Sequence, residues 1–258
     1  MAAKGDPHYP LRPECADVSE EFREPVARLG KIITDRIPIK LGKHEITKDD
    51  PEYWAVARLC TDEEAELAIK AFKKIRQPKT FADIQKAAPE IPAEKLQKML
   101  DHMSWTGLME WNYENPQHEK QYVLPMFVPG SGEFSNMNKD LIEEHPELGM
   151  FFEHMTRLPL EKVTPMVPEG GAGIGMHVIP VEKAIEMNNE AIGIEKISHW
   201  LDKYEGKYAK SPCSCRRSRK TYGEGCGDVE DGWCIAVGDM ADYVVESGKG
   251  GVYITKEE

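Results

Sequence analysis

Residues 211–234 read SPCSCRRSRKTYGEGCGDVEDGWC and hold four of the six cysteines of a 258-residue chain: Cys213, Cys215, Cys226 and Cys234, spaced C-x-C-x10-C-x7-C. Four thiolates drawn from one short stretch repel each other, so a metal or an oxidation must neutralise them. Disulfides persist only in oxidising compartments. The N-terminal MAAKGDPHYPLRPEC is charged, carries prolines and has no apolar core of signal-peptide length. No run approaches the roughly 18 apolar residues of a membrane helix, so no membrane span is expected. The expected location is the reducing cytoplasm, where clustered cysteines bind metal or serve redox chemistry.

Two metals suit such a cluster. Structural zinc favours pairs of C-x2–4-C knuckles. Here one tight C-x-C pair is joined by two isolated cysteines on wide loops, which suits the larger footprint of a 4Fe–4S cube, each sulfur meeting a different iron. Lys207, Lys210, Arg216, Arg217, Arg219 and Lys220 crowd the first two cysteines in a chain of net charge −12. Cations beside a negatively charged four-thiolate centre hold it and make its reduced form less costly. Gly223, Gly225 and Gly227 let backbone amides approach cluster sulfides. Spacing and charge favour 4Fe–4S, with zinc as the alternative.

Upstream, residues 1–60 carry few periodic segments and read as an arm; in EEFREPVARLGKIITDRI, Pro25 predicts at best a helix in two pieces. Thr61 is an expected N-cap for a helix with Glu63 and Glu64 in its first turn and Ala65, Ala68, Ile69 and Phe72 on one face. A short helix around Phe81 and Ile84 follows, then a turn at Pro89–Pro92, then a longer helix with a Leu96, Met99, Leu100, Met103 stripe closed by Gly107. LMEWNYENPQHEKQYVLPMF alternates around a polar tip, as a β-hairpin does. Helix, helix, helix, hairpin is the order of a winged helix-turn-helix domain. Residues 61–125 carry nine Lys or Arg against eleven Asp or Glu, a net charge of −2 that argues against nucleic acid as the partner and for docking or packing.

Residues 131–177 read as a loop-rich connector in which Met150, Phe151, Phe152 and Met155 suit a short core helix. GGAGIG has the wrong glycine spacing for a phosphate loop. VIPVEKAI starts extended, and Ile194, Ile197 and Leu201 mark an amphipathic helix that Gly206 ends. Asp239 starts another, with Met240, Tyr243 and Val244 on one face and Gly248 at its end. Thr255 and Glu258 form a capping-box pattern opening a further helix, which suggests that this chain is the N-terminal part of a longer polypeptide. Cys60 reads as a small core residue, Cys15 has no assigned role, and His154, His177 and His199 read as packed or surface side chains. No Ser-His-Asp, HExxH or paired-acid pattern stands out, so no catalytic residue is assigned. Trp200 and Trp233 could shield the cluster from water or simply pack.

VIPVEKAI, a helix, CSCR, GEGC ten residues on and a fourth cysteine before DMADYVVESGKGGVYITKEE resemble the N-terminal region of a family of 4Fe–4S proteins and flavin-linked pyridine-nucleotide oxidoreductases of anaerobic bacteria and archaea. The resemblance spans roughly 60–258, and all four cysteines match. It implies a winged-helix-like segment before the cluster, and FAD and NAD(P) in downstream domains or a partner; ferredoxin-type and Rossmann segments are absent from this sequence. The expected molecule is mainly α (α+β): an arm over 1–60, a winged-helix-like domain over 61–130, the connector over 131–177 and a small loop-rich cluster domain with flanking helices over 178–258. The expected function is 4Fe–4S electron transfer as a component of an oxidoreductase, with a redox partner protein or downstream flavin or ferredoxin-type domains. The alternative is a winged-helix regulatory or scaffold protein with a redox-sensing iron–sulfur or structural zinc site.

Overall fold

Pro25 lies in the first turn of helix α1 (Glu24–Thr34), which runs unbroken. A first-turn residue has no intrahelical N–H partner to lose, so proline begins this helix rather than dividing it, contrary to the expectation of two pieces. The computed structural model describes residues 21–34, 45–127, 130–151, 197–224 and 234–258. Val26, Leu29 and Ile33 of α1 are fully buried. They pack with Trp54 of α2 (Pro51–Trp54) and with Val56 and Leu59 in and beyond a 3-10 turn over Val56–Arg58. The Arg23 guanidinium donates to the Ala57 and Cys60 carbonyls (2.9 and 2.7 Å). The described part of the expected arm is thus built into the core.

Helix α3 (Asp62–Ala71) starts where expected. The Thr61 hydroxyl accepts from the Glu64 amide (3.2 Å), and the Glu64 carboxylate accepts from the Thr61 amide (2.8 Å), a reciprocal capping box. Strand β1 (Lys79–Thr80) leads into α4 (Phe81–Ala87), capped in the same way by Thr80 and Asp83. Leu96, Met99, Leu100 and Met103 form the buried stripe of α5 (Ala93–Thr106). Gly107 stops it at φ 90°, where a Cβ would also come within 2.5 Å of the Ser135 amide. The hairpin follows as β2 (Glu110–Asn112) and β3 (Gln121–Val123), antiparallel with Trp111 opposite Tyr122. Strand β1 pairs along the other side of β3, giving the order β1-β3-β2.

Helices α6 (Ser131–Met137) and α7 (Lys139–Glu144) and a helical turn over 147–151 come next. Phe151 packs edge-on against Phe127 and Trp54, with centroids 4.0 and 5.7 Å away. Phe152 and Met155, expected beside it, lie outside the described residues, as do GGAGIG and VIPVEKAI.

The remaining elements are α8 (Ile197–Lys203), β4 (Tyr208–Ser211), α9 (Ser214–Thr221), β5 (Cys234–Val237), α10 (Asp239–Glu246) and β6 (Val252–Ile254). The three strands form a second antiparallel sheet, ordered β5-β4-β6. Helix α10 packs against this sheet and reaches β2 of the first. Its Tyr243 is fully buried, with its ring edge-on to Trp111 (5.7 Å) and Phe134 (4.9 Å). The Tyr243 hydroxyl donates to the Met109 carbonyl (2.9 Å). Past Gly248 and β6, the Glu258 carboxylate accepts from the Thr255 amide (3.0 Å), one half of the expected capping box. One hydrophobic core joins the helical part to the cysteine-bearing sheet in a mixed α+β molecule. Among the described residues no helix is long and apolar enough to cross a membrane.

Candidate metal centre

The geometry of the cysteines follows from one rung of the second sheet. Ser211, the last residue of β4, pairs with Cys234, the first of β5. Two residues past Ser211 the chain turns at Cys213, which is the N-cap of α9 with extended backbone (φ −90°, ψ 110°). Cys215 then falls in the first turn of α9. A strand end, a helix cap and a helix first turn thus bring three cysteines to one corner. Cys213 is the common neighbour, raising the thiols of both Cys215 and Cys234.

Charge is disfavoured in this corner. The Cys234 thiol is pushed up to about 12, first by burial and then by the neighbouring Cys213, while Arg216 pulls the other way. Cys215 is exposed as a residue. Its thiol is still raised, first by the burial of its side chain and next by Cys213, with Glu133 adding to the effect. The positive end of α9 would favour thiolates here. Burial and mutual repulsion outweigh it, so three thiolates would coexist only with a compensating positive charge such as a metal ion provides. Among the described residues no group of three or more His, Cys, Asp or Glu side chains is arranged to hold a metal ion. The expected fourth ligand, Cys226, lies outside them.

The flanking cations divide their work. Arg217 is buried. Its guanidinium donates to the Asn136 carbonyl (3.0 Å) and to the Met137 carbonyl, clamping α9 to the end of α6. Ser218 of α9 donates to the Gly149 carbonyl (2.6 Å). Lys207 bridges Asp242 (2.6 Å) and Asp239 (3.2 Å), and Arg219 pairs with Glu224. Arg216 acts electrostatically on Cys234. The sequence reads all six as an electrostatic collar, because spacing alone does not show which face of α9 packs on α6.

Glu133 escapes a reading by motif. It stands in the first turn of α6, where its carboxylate accepts from the Gly130 amide (2.7 Å), and burial pushes its carboxyl up to about 7. The signal was present as a glycine followed three residues on by glutamate at a helix start. Cys60 is a core residue as expected, with its thiol donating to the Val56 carbonyl (3.6 Å). His199 is exposed on α8, edge-on to Trp200 (5.5 Å). Cys15, His154, His177, Trp233, Gly225 and Gly227 lie outside the described residues. Comparison with protein-family models, curated proteins and solved structures gives no match.

Proposed function

We propose that the chain is an electron-transfer module in which Cys213, Cys215, Cys226 and Cys234 hold a 4Fe–4S cluster, serving a flavin- and NAD(P)-linked oxidoreductase in a reducing cytoplasm. The observation that carries this is the gathering of Cys213, Cys215 and Cys234 at one corner where unmetallated thiolates are disfavoured. The cluster would supply one-electron chemistry, and the chain would supply four thiolates, Arg216 as a nearby cation and a sheet that fixes Cys234 beside the strand end leading to Cys213. Beside Cys234, the exposed Ile235 and Val252 flank Lys210 across the sheet, a mixed apolar and cationic face suited to docking a redox partner. The flavin and NAD(P) belong to the oxidoreductase being served, as the resemblance implies.

The element order from α3 to β3, with β1 joining the hairpin, supports a winged-helix reading of that part. Its third helix offers little to phosphate. Lys95 is paired with Glu63 and Lys98 with Glu94, so docking to protein is the better use.

Anaerobic purification decides the metal. Equimolar iron and sulfide with a broad absorbance at roughly 400 nm that dithionite bleaches is the expected result. A colourless protein with stoichiometric zinc would overturn it, and Cys215→Ser or Cys234→Ser is expected to lower iron content.

A further inference from the structure

A cleft of about 310 Å³ opens between the end of α5, the β2–β3 hairpin and the end of α10. That volume falls at the small end of ligand sites. It lies at the opposite end of α10 from β5, so it is independent of the cysteine corner. Two indoles, Trp105 and Trp111, and two carboxylates, Asp101 and Glu246, line it. The Lys120 ammonium sits over the Trp111 ring, 4.1 Å from its centroid. On the wall, Ser104 is 4% exposed, and its hydroxyl oxygen is buried without a hydrogen-bond partner. A serine inside a helix ordinarily faces water or bonds the carbonyl one turn back. This one leaves a buried, unpartnered polar atom on a residue that lines the cleft.

The lining selects by charge and shape. Indole faces attract cations. Two carboxylates against one ammonium leave the lining net negative, which disfavours anions. Lys120 already shows that an alkylammonium fits the Trp111 face, with Asp101 and Glu246 favouring its charge against the cost of burying it. We infer that the cleft binds a small alkylammonium ligand, a mono- or diamine, which displaces the Lys120 ammonium from Trp111 and balances its charge on Asp101 and Glu246.

The test is a titration of the whole protein with 1,4-diaminobutane, followed by indole fluorescence and referenced to sodium chloride at matched ionic strength. A saturable change that the salt does not reproduce is expected. The double variant Asp101→Asn, Glu246→Gln should weaken binding by about tenfold or more. Lys120→Met should tighten it, because the resident competitor is gone. Circular dichroism confirms that each variant is folded. Three results would overturn the site: a response that sodium chloride reproduces, an unchanged affinity in the double variant, or weaker binding in Lys120→Met. So would the lack of any saturable change in both the parent protein and Lys120→Met.

Discussion

Glu133 keeps its proton in the folded protein well above the pH at which a solvated glutamate has lost it, because burial disfavours the carboxylate. Between pH 4.5 and about 7 the folded state therefore binds a proton that the unfolded chain has released. Stability must fall as pH rises through that window. Urea midpoints measured across it should show Glu133→Gln losing less stability than the parent, by up to about 3 kcal/mol. A parallel pH dependence in both proteins would show that Glu133 is solvated. Arg217 illustrates the opposite economy: a charge taken out of water but met by two carbonyls, so it binds two helices together.

Among the elements, α3 has the most complete local signal. Its capping box satisfies an orphan amide at each partner, and Glu64 also accepts from His102 of α5 (2.8 Å), tying two helices at that end. Thr61→Ala should cost about 1 kcal/mol in chemical denaturation, and Thr61→Ser should recover most of it. A neutral Thr61→Ala would mean that packing, not the cap, starts the helix. Legibility follows the same line. Thr61, the α5 stripe, Gly107 and the hairpin were readable because each depends on neighbours within a few residues. Pro25 misled because its position in the turn matters more than its presence. Cys213, Cys215 and Cys234 were readable as a set. Their meeting through the Ser211–Cys234 rung, and the anchoring of Arg217 on α6, depend on pairings that no local pattern encodes.

At the scale of the whole molecule, Tyr243 is the joint. It comes from the helix that covers the cysteine-bearing sheet, yet its ring packs on Trp111 and Phe134 and its hydroxyl is held by Met109. Tyr243→Ala should cost about 3–5 kcal/mol. Thiol reactivity and tryptophan fluorescence should then report one common transition, shifted together. Two separate transitions, with only the thiols exposed early, would show that the sheet melts by itself.

The clamp of Arg217 on the end of α6 carries a consequence for portability. This corner is not a self-sufficient cassette, since the helix that Cys213 caps and that holds Cys215 is anchored to carbonyls some 80 residues upstream. Grafting the stretch from Ser211 to Cys234 into another scaffold would transfer the thiols without the anchor that aims them.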